Sequence, residues 1–178
     1  MIEIKAPNDF NYYSLPPKPF TIFLAGSIEM GTAENWQQKI VKELGFHVFP
    51  FSFPITILNP RRDDWDSSWV QSIKNPKFKE QVIWEIHGQS SSDLILMYFS
   101  PNTKSPITLL ELGLSANRSE LMVCCPEGFW RKGNVEVICD YFSIPLYENF
   151  EEFVKAVKNR LSQKFLGEKI KSGGANET

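Results

Sequence analysis

Glu111 is the residue whose surroundings most favour chemistry, an acid within the segment ITLLELGLSA. A leucine flanks it on each side, and Gly113 removes a side chain two positions further on. Limited access to water raises the pKa of a carboxyl group, and a missing side chain leaves room for a ligand. The segment indicates a carboxylate with an altered pKa, whereas an ordinary solvated helix face is the other interpretation.

The same segment has the spacing of a helix with two different faces. The predicted buried face consists of Ile107, Leu110 and Leu114. A separate polar face consists of Thr108, Glu111 and Ser115. In the preceding helical segment, Phe78, Val82 and Ile86 mark the predicted apolar stripe, and Gln81 and Glu85 lie off it.

Asp93 is a second acid in an unusual place, directly before the apolar run DLILMYF. A carboxylate that is buried there needs a partner, because unpaired buried charge is costly. A polar residue that completes the preceding turn, SSSD, explains the same position without any function.

Two polar stretches follow the first two main apolar runs. In AGSIEMG, the amides around Gly26 and Ser27 precede a helix and can hold an anion or a hydroxyl, although a tight turn is the simpler interpretation. The second stretch is a charged cluster, for which Arg–Asp pairing and ligand binding both remain open. It consists of Asn59, Arg61, Arg62, Asp63 and Asp64.

The elements that must position these residues form an α/β pattern. Continuous apolar runs separated by helices predict a five-stranded, mainly parallel sheet that is covered on both faces. The predicted strands are FTIFLAG, ITILN, DLILMYF, ELMVCC and IPLY. We expect an extended lead-in over 1–19, one domain over 20–166 and a disordered tail over 167–178. Ligands gather at the carboxyl ends of such strands, which selects the loops 26–31, 60–76 and 100–105.

Composition narrows the classes of partner. The net charge is -2 and no basic stripe is present, which argues against nucleic-acid binding. No apolar run is long enough for a membrane span, and the first residues do not resemble a signal peptide. Three cysteines and two histidines, without a CxxC pair, predict reduced thiols in the cytoplasm and no metal site.

Several stretches together resemble the nucleoside 2-deoxyribosyltransferase family, particularly its deoxyribosyltransferase-like branch. They are FLAGSIEMGTAENW, ILNPRRDDWD, QVIWEI, DLILMYF, LLELGLSA and GFWRKGNVEVICDYF. The resemblance covers roughly residues 20–148. It implies a flavodoxin-like, Rossmann-like three-layer sandwich, no cofactor, homo-oligomers with shared active sites, and cleavage of a nucleoside N-glycosidic bond.

The resemblance also implies roles for individual residues. Glu111 falls on the nucleophile of the family, and Asp93 on an aspartate that faces the nucleobase. Gly26 and Ser27 fall on the loop after the first strand, and the Arg61–Asp64 cluster on a motif of the branch. Asn134 resembles an asparagine that a neighbouring subunit contributes near the 5′ end of the sugar. The exposed aromatics Phe129 and Trp130 are expected to anchor that subunit.

Two departures from the family pattern bear on the substrate. The first long strand has Ile22, Phe23 and Leu24, where better-studied members carry an orienting tyrosine. Transferases of the family often have an aspartate at the position of Ser105. A serine at this position resembles the members that hydrolyse deoxynucleoside 5′-monophosphates. Glu29 would repel a phosphate in the first loop.

The sequence therefore predicts an enzyme that acts on (deoxy)nucleosides through a covalent glycosyl-Glu111 intermediate. A 5′-monophosphate N-glycosidase and a non-catalytic nucleotide-binding domain of the same fold are the alternatives.

Overall fold

The computed structural model describes residues 1–10, 18–29, 33–45, 54–117 and 120–173, with side chains described as far as residue 167. Six strands form one sheet: β1 (Ile2–Lys5), β2 (Phe20–Gly26), β3 (Ile55–Asn59), β4 (Leu94–Tyr98), β5 (Leu121–Cys124) and β6 (Leu146–Tyr147). The helices are α1 (Trp36–Gly45), α2 (Pro76–Ser91), α3 (Pro106–Ser115), α4 (Lys132–Tyr141) and α5 (Phe150–Gly173).

The sheet has the strand order β1-β3-β2-β4-β5-β6, and every pair in it is parallel. This confirms the α/β class and the flavodoxin-like arrangement of three layers. The strand count differs, because five strands were predicted and β1 adds a sixth. β1 lies within the expected lead-in and pairs with β3 from Ile2 to Lys5. Its sequence, IEIK, alternates apolar and polar residues as a half-buried strand does, but over only four residues, so the signal was missed.

Helices cover both faces of the sheet and build two separate cores. On one face, α1 and α5 pack their apolar side chains against the sheet, and Trp36, Ile40, Phe153 and Leu161 are all fully buried. On the other face, α2, α3 and α4 contribute residues such as Trp84 and Leu112. β3 and β4 are buried along their whole length, as continuous apolar runs predict.

The predicted buried face of α3 faces solvent instead, so this prediction is wrong. Ile107, Leu110 and Leu114 are half or more exposed, whereas Thr108 and Ser115 are buried. The physical reason is the neighbouring helix, because Gln89 of α2 binds the polar face of α3.

The buried face of α2, like that of α3, is not the predicted one. Its buried residues are Gln81, Trp84, Gly88 and Gln89, and Ile86 of the predicted stripe is exposed. Gly88 allows the close approach of α2 to the sheet, since a Cβ at this position would lie 2.7 Å from the Phe23 ring.

α5 continues to Gly173, beyond the expected start of the tail, and residues 174–178 lie outside the described part of the chain. Among the described helices, none is both long enough and apolar enough to cross a membrane.

Candidate active site

The chain reverses its direction of winding between β2 and β4, which are neighbours in the sheet. β2 leads to α1 on one face, and β4 leads to α3 on the other. In open parallel sheets, ligands bind at this point, outside the carboxyl ends of the strands. The three loops selected from the sequence follow β2, β3 and β4 at this edge, although residues 30–32 lie outside the described residues.

Hydroxyl groups join the loops after β2 and β4. The Ser27 hydroxyl lies 2.5 Å from that of Ser105 and 3.2 Å from that of Thr103, and it accepts a hydrogen bond from the Ser100 amide at 2.9 Å. Gly26 permits this approach, because a Cβ there would lie 2.4 Å from the carbonyl oxygen of Tyr98. The two loops form one polar wall of the crevice.

Glu29 occupies the amino end of α3. Its Oε1 accepts hydrogen bonds from the amides of Lys104 at 2.6 Å and Ser105 at 2.5 Å. Amides at a helix amino terminus are a common binding place for phosphate. In this chain a carboxylate of its own already fills that place.

Glu111 is held by a relay of two side chains. Gln89 Nε2 donates to Glu111 Oε1 at 2.6 Å, and the Ser115 hydroxyl donates to Gln89 Oε1 at 3.1 Å. Because Ser115 fixes the oxygen of the Gln89 amide, the NH₂ group must point at the carboxylate. Gln89 and Ser115 are both buried, so the relay is rigid.

A second carboxylate, Glu85, lies on the same polar stripe of α2. Gln81 Nε2 donates to Glu85 Oε1 at 2.8 Å and to the carbonyl oxygen of Pro60 at 2.9 Å. Gln81, Glu85 and Gln89 follow one another at four-residue intervals, so they share one face of the helix. This face links Glu111 to the carboxyl end of β3.

The two acids influence each other's protonation. Burial raises the pKa of Glu111, and the negative charge of Glu85 raises it further, whereas the hydrogen bond from Gln89 acts in the opposite direction. Burial also raises the pKa of Glu85, against the hydrogen bond from Gln81. The negative charge of one acid opposes the ionisation of the other, so the pair favours a state that holds one proton. One acid can then act as a nucleophile and the other as a proton donor.

Asp93 lies away from this pair. Its carboxylate accepts a hydrogen bond from the Thr21 amide at 2.8 Å, and its own amide donates to the Thr21 carbonyl at 2.8 Å. A residue that opens a parallel strand lies at the amino edge of the sheet, opposite the crevice. The structure therefore does not bring Asp93 to Glu111, and the residue fastens β4 to β2 instead.

Most of the charged cluster after β3 is paired internally. Arg62 donates to Asp64 at 2.8 Å and to Glu80 at 3.1 Å, and its guanidinium lies over the Trp69 ring. Asp63 pairs with Lys5 of β1.

Asn59, the remaining polar residue of this region, also has internal partners. It donates to Glu3 at 2.7 Å and accepts from the Arg61 amide at 3.0 Å. Only the Arg61 side chain stays available in this cluster, as described below.

Asn134 and Trp130 line a groove of about 540 Å³ between α3 and α4. Asn134 is exposed there, and its contact with a neighbouring subunit stays a prediction. The expected anchor Phe129 is buried, because it packs on Phe99 with ring centroids 4.8 Å apart. Trp130 is exposed and donates to the Lys104 carbonyl.

Sequence reasoning missed the roles of Glu85 and Gln89. A signal was present, since Gln81, Glu85 and Gln89 repeat at four-residue spacing, but the apolar residues of α2 suggested the opposite orientation. Within the described ranges, no three His, Cys, Asp or Glu side chains converge as a metal site requires.

A comparison with protein families gives a match over more than half of the chain. The family described as nucleoside 2-deoxyribosyltransferase like matches residues 19–129, which include Glu85, Gln89 and Glu111 but not Asn134. No curated protein matches the chain.

Proposed function

The chain belongs to the nucleoside 2-deoxyribosyltransferase-like family, and we propose that it cleaves the N-glycosidic bond of a (deoxy)nucleoside through Glu111. The observation that carries this proposal is the half-buried pair of Glu111 and Glu85, each held by a glutamine of α2. Glycosidic bonds are usually cleaved by a pair of carboxyl groups, one of which is ionised while the other has a raised pKa and donates a proton.

In the first step, the single proton of the pair lies on Glu85, and an oxygen of the ionised Glu111 attacks the anomeric carbon of the sugar. The C1′–N bond breaks, and its electron pair stays with the base nitrogen. Glu85, as the protonated acid, gives its proton to the departing base. The products are a free base, a glycosyl ester on Glu111 and an ionised Glu85.

In the second step, the acceptor is another base or a water molecule. Glu85 takes a proton from the acceptor, the acceptor attacks the anomeric carbon, and the ester bond to Glu111 breaks. Glu111 returns as a carboxylate and Glu85 as an acid. Transfer and hydrolysis differ only in the acceptor, so the same two residues serve both.

Gln89 supplies the orientation that a first-strand tyrosine gives in better-studied members of the family. Its amide fixes one carboxylate oxygen of Glu111 and stabilises the ionised form that must attack. Tyr98 does not fill this role, since its hydroxyl donates to Glu34 at 2.7 Å on the opposite face of the sheet.

We propose nucleosides rather than 5′-monophosphates as substrates. The amides that would bind a phosphate at the start of α3 are taken by Glu29. A neutral 5′-hydroxyl needs only a donor and an acceptor, and the Glu29 carboxylate does not repel it. Ser105 is shared with hydrolases of monophosphates, and that activity is the alternative.

We also propose that the active unit is a homo-oligomer. Several large apolar side chains of α2, α3 and α4 are exposed, namely Ile83, Ile86, Ile107, Leu110, Leu114, Val137 and Tyr141. Exposed apolar patches in soluble proteins often mark interaction sites. A second copy on this face would bring its Asn134 near the crevice.

The decisive experiment incubates the protein with deoxynucleosides and free bases and separates the products by chromatography. We expect new nucleosides or released bases with wild-type protein and none with Glu111→Ala. Glu151→Ala is the matched control, because Glu151 is exposed and belongs to α5, on the opposite face of the sheet from α3 and Glu111. Binding without turnover across the panel would support a nucleotide-binding domain instead.

A further inference from the structure

The buried polar atoms that lack a partner are concentrated at one place. Across the described residues, buried side-chain nitrogens and oxygens without a hydrogen bond belong to Gln37, Arg61, Trp65 and Gln81. Native proteins leave few such atoms unmatched, so each one needs an explanation. Three of these four residues lie in the segment after β3 or are bonded to it, because Gln81 binds the Pro60 carbonyl.

Arg61 contrasts with its neighbour Arg62. The Arg62 guanidinium has two carboxylates and an aromatic ring as partners. The Nε and Nη2 atoms of Arg61 are buried and meet no acceptor among the described residues. Burial lowers the pKa of Arg61, and no carboxylate acts against that effect. Since buried charges are ordinarily paired, Arg61 needs an acceptor that the described residues do not supply.

The chemistry of that acceptor follows from which atoms are free. Nε and Nη2 share one edge of the guanidinium, so they present two parallel donors to two adjacent acceptors. The indole Nε1 of Trp65 is a further buried donor without a partner. Gln81 adds an unmatched acceptor, because its Nε2 is taken by Glu85 and Pro60 while its Oε1 is free.

We propose that Arg61, Trp65 and Gln81 form the nucleobase subsite, and that it selects bases with two adjacent hydrogen-bond acceptors. This inference rests on the proposed function, which brings a base beside Glu85. Gln81 binds both Glu85 and the residue before Arg61, so the subsite begins where the departing base leaves the acid.

Two kinds of base fit this description. Oxopurines such as hypoxanthine and guanine present N7 and O6, and cytosine presents N3 and O2 beside an amino group for Gln81. Adenine presents an acceptor next to a donor, and thymine alternates acceptor and donor. The Arg61 cation also stabilises the electron pair that the C1′–N bond leaves on the base.

The test measures binding of four free bases to the full chain by calorimetry: cytosine, hypoxanthine, adenine and thymine. We expect wild-type protein to bind cytosine or hypoxanthine at least tenfold more tightly than adenine and thymine. Arg61→Lys keeps the positive charge but loses the two parallel donors of the guanidinium, and it should remove this preference. Arg160→Lys is the control, because Arg160 pairs with Glu120 on the surface.

Trp65→Phe is a second variant, which keeps an aromatic ring and removes the indole N–H donor. It should weaken the preferred base by severalfold, and it decides the question if Arg61→Lys fails to fold. Equal binding of the four bases, or a preference that both variants retain, would overturn the subsite. Binding of inorganic phosphate that depends on Arg61, with no base preference, would also overturn it.

The subsite and the proposed reaction can fail separately. Free-base binding needs no turnover, so a base preference that depends on Arg61 in a protein without activity would refute only the reaction. Turnover that depends on Glu111, without any base preference, would refute only the subsite.

Discussion

The two helical layers of this protein use opposite patterns. α1 and α5 bury their apolar side chains, such as Ile40 and Phe153, and expose their charges. α2 and α3 bury amides and hydroxyls, such as those of Gln89 and Ser115, and expose Ile86 and Leu110. Buried polar and exposed apolar side chains contribute little to the stability of a single chain. We infer that those of α2 and α3 serve another purpose.

The energetics of the two layers differ accordingly. Full burial of a large apolar side chain contributes about 1.5–3 kcal/mol, and the α1–α5 layer has many such residues. A buried polar group costs free energy unless it is hydrogen-bonded, and each net hydrogen bond contributes only about 0.5–1.5 kcal/mol. We infer that one layer stabilises the fold and the other positions the carboxylates.

Phe153→Ala tests the stabilising layer and has the largest expected effect on stability. The free energy of unfolding should fall by about 3–5 kcal/mol, because removal of the fully buried ring leaves a cavity in the core between α5 and the sheet. Leu166→Ala, at an exposed position of the same helix, should cost less than about 0.5 kcal/mol. Denaturant unfolding measures both values, and equal losses would contradict a division between the layers.

Gln89→Leu tests the positioning layer. Turnover should fall about 10- to 100-fold with little change in KM, because a hydrogen bond to a charged group contributes about 1.5–3 kcal/mol. Gln89→Asn, with the same amide on a shorter chain, should recover little. A loss of stability without a change in kcat would make Gln89 a purely structural residue.

The pH dependence of stability tests the acid pair. The raised pKa values mean that the folded state holds protons which the unfolded state has released. Stability should therefore fall as the pH rises above the ordinary range of a carboxylic acid. Removing one acid with Glu85→Gln should reduce this fall by at least about 1.4 kcal/mol, the equivalent of one pKa unit. Parallel stability profiles for both proteins would show that Glu85 neither has a raised pKa nor raises that of Glu111.

Leu110→Asp tests the exposed apolar face and has the smallest expected effect on the isolated fold. Leu110 is 59% exposed, so the free energy of unfolding of one chain should change by less than about 0.5 kcal/mol. Light scattering should show dissociation into single chains. Lys155→Asp on α5 is the control, and a wild-type protein that is already monomeric would remove the interface from the account.

The sequence predicted the layers well and the orientation of two helices poorly. Continuous apolar runs identified β2, β3 and β4, and the loops at their carboxyl ends, because burial on both faces leaves an unmistakable pattern. The same rule misplaced α3, since it assumes that apolar residues face the chain's own core. Asp93 was misplaced because its role came from the resemblance alone, although a residue that precedes a parallel strand lies at the edge of the sheet away from the ligand.

The central claim is that Glu111 forms a covalent bond to the sugar, and mass spectrometry of the quenched enzyme tests it directly. The protein is mixed with an active deoxynucleoside, stopped by acid within one turnover and digested with pepsin. The account predicts one added deoxyribosyl group on the peptide that contains Glu111, and none on the same peptide of Glu111→Ala. A deoxyribosyl group on another residue, or turnover that persists in Glu111→Ala, would contradict it.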